Sequence, residues 1–188
     1  MGLKAGVIAG AVAAGILLMI ILITIIWTVA SYNSLVTMDE DVDGSWAQVE
    51  NQYQRKVDLI PTLIETVVDY QEFEESTLTN ITELRSRWME ADSQDEQVEV
   101  AGELDQALRS IILTYENYPY LQSVVVVHDL MVELEGTENR ITVERMRYNE
   151  DVRDFNKEIK KFPKVIIANS FGFDERSYFE SDAAPDNP

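Results

Sequence analysis

The side chains that carry most protein chemistry are scarce in this chain. His128 is the only histidine, and cysteine is absent. One histidine cannot supply a multi-histidine metal cluster or an H-E-x-x-H zinc site. The lack of thiols excludes thiolate zinc and iron–sulfur sites, a cysteine nucleophile, a disulfide scaffold and a cysteine-linked lipid anchor. His128 reads as a surface or packing residue. The eight glycines are scattered and form no phosphate-binding loop. What remains is a large stock of carboxylates and a few arginines. Carboxylates on facing helices can hold a metal pair, but the di-iron pattern needs Glu-x-x-His on two helices. On this reading the chain is not an enzyme, binds no cofactor, and has no catalytic or metal-ligating residue.

Two stretches still look non-random. One is Glu50-Asn51-Gln52-Tyr53-Gln54-Arg55-Lys56-Val57-Asp58-Leu59-Ile60-Pro61, and the other is Glu133-Leu134-Glu135-Gly136-Thr137-Glu138-Asn139-Arg140-Ile141. In the second, the inner face between Leu134 and Ile141 is offered only Thr137 or Glu138. Gly136 inside a helix costs about 1 kcal/mol relative to Ala, a cost explained if another helix backbone comes close there. These features predict a partly buried polar layer drawn from Glu50, Asn51, Arg55, Asp58, Glu135, Gly136, Glu138 and Arg140. In it, Arg55 or Arg140 faces Glu50, Glu135 or Glu138. Such a layer fixes register more than it adds stability.

These residues must be carried by elements, and the charge pattern divides the chain into two parts. There are 34 acidic residues against 15 basic ones, for a net charge of -19. Such a field repels nucleic acid, because nothing neutralises the phosphates. The acids are spread along the whole polar part instead of forming one patch. That spread favours halophilic adaptation, in which salt screens a dense carboxylate surface, over a dedicated site for a basic partner. Yet 46% of the residues are hydrophobic. The two facts are reconciled by Ala5–Met38, which carries no Asp, Glu, Lys or Arg.

Within that stretch, residues 7–30 form an apolar run about 36 Å long as a helix, enough to cross a hydrocarbon core of roughly 30 Å. Trp27 and Tyr32 stand near its exit, where aromatic rings favour the headgroup zone. The run is too long for a cleaved signal and lacks a small-x-small cleavage site behind it. The sequence therefore predicts a single-pass protein of the cell membrane: a short tail at 1–6, a transmembrane helix at 7–30 in contact with the lipid bilayer, a helical domain at 31–180, and a disordered acidic tail at 181–188. Lys4 before the span and Asp39-Glu40-Asp41 after it predict an extracytoplasmic domain. Gly6, Gly10 and Ala14 have the spacing of close helix pairing, so self-association is a further expectation.

The polar part reads as helix throughout. Val42, Trp46, Val49, Tyr53, Val57, Ile60, Ile64 and Val67 are spaced by threes and fours, the mark of one buried helix face. That helix is expected to start at Asp39 or Asp41, bend at Pro61, and continue through Leu78, Ile81, Leu84 and Trp88 towards residue 91. Ser93 with Glu96 offers a cap for the next helix, which Pro119 ends. A last helix is expected from about Tyr120 to Phe162, with Val124–Val127 inside it and its stripe clearest at Ile141, Tyr148, Val152, Phe155, Ile159 and Phe162. The fold class is all-α: an N-terminal transmembrane helix followed by a long antiparallel bundle of three to four helices, packed in coiled-coil fashion.

The chain resembles the LemA family. The resemblance rests on Tyr32-Asn33-Ser34-Leu35-Val36 after the span, Val49-Glu50-Asn51-Gln52, Arg55 to Pro61, Glu116-Asn117-Tyr118-Pro119, Glu133 to Ile141, Tyr148-Asn149, Phe162-Pro163, Phe171-Gly172-Phe173 and Phe179-Glu180. It implies a membrane-anchored antiparallel helical bundle with no assigned catalytic residues. It also implies a short N-terminus outside the cell, against the charge argument.

The expected function is a membrane-anchored helical scaffold or interaction module with a membrane-associated protein partner. The alternative is a ligand- or cation-sensing or enzymatic helical domain that uses buried carboxylates and arginines. A filled core argues for the first; carboxylates converging on a cavity of roughly 300 Å³ or more argue for the second.

Overall fold

The computed structural model describes residues 2–179, with side chains from Gly10 onward. Met1, Glu180 and the tail expected to be disordered at 181–188 lie outside the described residues, as does the side chain of Lys4. Among the described residues there is no strand. The helices are α1 (Gly2–Val67), α2 (Glu75–Glu90), α3 (Gln94–Asn117), α4 (Pro119–Gln122), α5 (Val125–Lys160) and α6 (Lys164–Phe171).

Several boundaries differ from the sequence reading. No helix starts at Asp39 or Asp41, because α1 runs unbroken from the apolar stretch to Val67. Residues 31–43 contain no Gly or Pro, and Leu35 and Val42 stay in register on a buried face, so nothing stops the helix there. Pro61 lies within α1. The chain does break at 68–74, which divides the expected first helix into α1 and α2. The turn is closed by backbone bonds from Tyr70 to Val67 and from Phe73 to Tyr70, and Phe73 is buried. Ser93 caps α3 by accepting from the Glu96 backbone, as expected. Pro119 ends α3 but opens the short α4, so α5 starts at Val125 instead of Tyr120. The expected helix end near Phe162 is followed by α6.

The structure divides into two compact units. The first comprises, among the described residues, 2–43 and 151–176. No residue of the most apolar window of α1 is buried, and that window has a mean hydropathy of 2.8. This is one helix long and apolar enough to cross a membrane. Beyond it, Ser31, Leu35 and Val42 are buried, together with Val152, Phe155 and Ile159 of α5 and Ile167 and Ala168 of α6. Tyr32 meets Phe171 at 4.8 Å and Phe173 at 5.8 Å between ring centroids. Gly172 closes α6 in the left-handed conformation, φ 76°, which a residue with a Cβ adopts only at a cost. Asn156 then clamps the following segment: its Nδ2 donates to the Arg176 carbonyl and its Oδ1 accepts from the Arg176 amide, both at 2.9 Å. The Arg176 side chain donates to Asp39.

The second unit comprises, among the described residues, 44–150 and 177–179. Its core is one apolar stripe from each helix, including Val49 and Ile60 of α1, Ile81 of α2, Leu104 of α3, and Leu134 and Ile141 of α5. Trp46, Tyr148 and Phe179 form an aromatic group with centroids 5.5 to 5.7 Å apart. Asn149 exchanges two hydrogen bonds with the backbone of Phe179, at 2.9 and 3.0 Å.

Candidate functional site

Among the described residues of the second unit, the buried charges gather in one place. Tyr53 and Lys56 are one turn apart on α1, Asp105 lies on α3 beside Leu104, and Glu138 and Arg145 are two turns apart on α5. Residues spaced by three, four or seven share a helix face, so each helix turns its contribution inward with its apolar stripe. The Asp105 carboxylate accepts from Lys56 Nζ at 2.6 Å, Tyr53 Oη at 2.7 Å and Arg145 Nη2 at 2.5 Å. Lys56 also pairs with Glu138, and Arg145 donates to the Tyr53 hydroxyl. The side chains of Lys56 and Asp105 are 1% and 3% exposed.

Two cations and two carboxylates make the cluster formally neutral, and its hydrogen bonds offset the desolvation that otherwise makes a buried ion pair costly. Burial, followed by the charge of Asp105, raises the Tyr53 pKa above its ordinary value. The phenol therefore stays protonated at neutral pH and serves as a donor to Asp105. Both Asp105 oxygens are engaged by donors, which fits a lock on helix register better than a proton acceptor. Arg145 also lies 5.2 Å from the Tyr53 ring centroid and 4.7 Å from that of Phe179, within the range of cation–π attraction.

A cleft of about 330 Å³ adjoins this cluster, lined by Asp95, Val98, Glu99, Gly102, Arg145, Tyr178 and Phe179. Its two carboxylates are exposed. Among the described residues, no group of three or more histidine, cysteine, aspartate or glutamate side chains is placed to hold a metal ion.

The cluster is built mostly from residues other than those the sequence reading named. Of the eight named residues, only Glu138 enters the cluster. Arg55 and Arg140 are exposed. Glu50 is exposed and accepts from Gln97; Asp58 is exposed and accepts from Gln54. Asn51 and Glu135 are also exposed. Gly136 is half-buried, but a Cβ there meets only open space, so no helix backbone approaches it. Thr137 takes the inward position and spends its hydroxyl on the Glu133 carbonyl. His128 is exposed and shares a hydrogen bond with the Tyr115 hydroxyl at 2.7 Å.

Among the described residues, a helical polar part that buries a charge-neutral cluster, joined to one helix of membrane-spanning length, defines the class: a membrane-associated helical bundle. The LemA family model matches residues 45–188, and the chain belongs to the LemA family. It is similar to magnetosome protein MamQ 2 of Paramagnetospirillum magneticum, 27% identical over 183 residues, covering 84% of this chain and 67% of that protein. Magnetosome protein MamQ of Magnetospirillum gryphiswaldense is 26% identical with the same coverage. Protein LemA of Metamycoplasma hominis is 23% identical over 154 residues, covering 81% of this chain and 70% of that protein.

Proposed function

We propose that this chain is a membrane-anchored scaffold, held in the bilayer by residues 7–30, whose helical module at 31–180 engages a protein neighbour. The observation that carries this reading is the corner between α4 and α5. Tyr118, Tyr120, Val125 and Val126 are all exposed there, on a chain with a net charge of -19. Exposed aromatic and β-branched side chains gathered over nine residues are what a protein interface uses at its centre. Anchoring confines the module to two dimensions, so a weak contact suffices. Relatives with different names, magnetosome protein and LemA, support a module used in more than one setting.

The test is a photo-crosslinking residue at Tyr120 in native membranes. The scaffold reading expects one defined protein neighbour, lost when Val125 and Val126 are changed to Glu. A diffuse crosslinking pattern unaffected by those changes overturns it. Crosslinks between two copies identify self-association as the contact.

The second reading, ligand sensing, draws on the cleft beside Arg145. Its exposed Asp95 and Glu99 and its aromatic Tyr178 and Phe179 suit a small organic cation. Because Arg145 is already paired with Asp105, the remaining lining is net acidic. Saturable binding of an organic amine, lost in Glu99→Gln, is the result that favours sensing over the scaffold. The charge bias at Lys4 supports an extracytoplasmic module. Protease added to intact cells digests it if so; protection until lysis places it inside.

A further inference from the structure

We propose that α6 and the lysines leading into it form a foot that lies in the membrane surface and recognises anionic lipid headgroups. The inference rests on residues 7–30 crossing the bilayer. It begins with an uneven distribution. The chain has six lysines, and Lys157, Lys160, Lys161 and Lys164 fall within eight residues that hold one acid, Glu158. On a chain this acidic, such a local excess of positive charge stands out.

The structure puts this segment against the exit of the span. Lys164, at the start of α6, donates to Ser34 Oγ of α1 at 3.3 Å. Phe171, at its end, packs on Tyr32 of α1. A helix of eight residues is about 12 Å long, whereas two residues of α1 cover about 3 Å. Side chains from both ends of α6 thus reach nearly one level of α1, Ser34 and Tyr32. That level is two to four residues beyond Ala30, the last residue of the apolar run, where headgroups begin.

The outward side chains suit that place. Phe162 is 82% exposed, and Ile166 and Phe171 are each 58% exposed, while Ile167 and Ala168 face the unit's interior. Aromatic and aliphatic side chains beside a row of lysines are the composition of interfacial helices on anionic membranes. Lys160 pairs with Glu175, and Lys161 and Lys164 pair with Glu158. These acids hold the lysines in place without outnumbering them along the 157–164 run. The occupant is the lipid surface that continues from the span itself, and each lysine near an anionic surface is worth about fivefold in binding.

The absence of cysteine permits a direct test. Single cysteines at Ile20, Phe162 and Ile166 carry a spin label in the full chain, reconstituted in phosphatidylcholine vesicles with and without phosphatidylglycerol. Relative access of oxygen and a water-soluble nickel complex reports depth. A lipid-like value at Ile20 establishes the anchor independently. The foot expects labels at 162 and 166 to sit at headgroup depth with phosphatidylglycerol. Their seated fraction should fall at least about fivefold without it, or when all four lysines become Gln. Water-like access at both positions while Ile20 is lipid-like overturns the foot alone. Equal seating with and without the anionic lipid overturns headgroup recognition. Labels shielded from both reagents indicate protein cover and overturn the proposal. A water-like Ile20 removes the anchor and the foot together.

Discussion

The Arg85 side chain donates from Nε to the carbonyl oxygen of Val57 at 3.1 Å. Val57 is four residues before Pro61, and proline has no N–H to close that helical bond. A residue on α2 thus satisfies a carbonyl that α1 leaves open in a partly buried place, where an unpaired group costs about 1–3 kcal/mol. The expected result is that Arg85→Met destabilises the chain by about that amount. In a Pro61→Ala background, the backbone N–H gained at position 61 supplies the missing donor, and the penalty shrinks by at least ~1 kcal/mol. Chemical denaturation of the four variants in a double-mutant cycle reads this coupling, and an Arg85 penalty unchanged by Pro61→Ala rules the account out.

This bond also shows where sequence reasoning stops. The stripe through Val57 and Ile60 was legible, and so was the continuation of the helix past Pro61. The turn at 68–74 was not, because Val67 and Leu78 keep apolar spacing on both sides of it and no Pro or Gly marks it. The cluster around Asp105 was half legible. Ile141, Arg145, Tyr148 and Val152 step by four, three and four, so Arg145 occupies a core position in plain view. A helix-by-helix reading passes over it because a charged residue is taken as a break in the stripe. Asp105 was harder. Beside Leu104, it gains an inward role only once Lys56 and Arg145 arrive from two other helices. On a chain with 34 acids, no local signal singles it out.

Lys56→Met is expected to be among the most damaging single changes in the polar part. It leaves the buried Asp105 with one fewer cation, and breaking a buried pair from one side costs about 3–5 kcal/mol. Adding Asp105→Leu to Lys56→Met is expected to recover part of that loss, since removing both charges removes the desolvation cost. Arg55→Met, one position earlier and exposed, should change stability by about 0.5 kcal/mol or less. Unfolding midpoints of these three variants and the wild type decide. Equal effects of Lys56→Met and Arg55→Met would show that the buried network contributes nothing.

Gly136→Ala should stabilise. The added Cβ meets open space, the position is helical, and Ala exceeds Gly by about 1 kcal/mol inside a helix. A rise in melting temperature is expected, and a fall would reveal a close neighbour on Gly136 in the assembled protein.

The corner between α5 and α6 should respond to acid through Glu158. Hydrogen bonds from Lys161 and Lys164 lower its pKa from the ordinary 4.5 to about 2. A carboxylate with a depressed folded-state pKa stabilises fully above its ordinary value and loses that contribution as pH falls towards the folded-state one. Wild type should therefore melt above Glu158→Gln at pH 6, with the gap closing between pH 4.5 and about 2. The other carboxylates titrate in both proteins, so the difference between the two isolates Glu158. The same substitution should act oppositely on membranes. Without its carboxylate, Lys161 and Lys164 turn to headgroup phosphates, so Glu158→Gln should seat a label at Ile166 more fully in phosphatidylglycerol vesicles while lowering the melting temperature in detergent. If both readouts fall together, Glu158 only holds α6 in place and the two lysines make no contribution at the lipid surface.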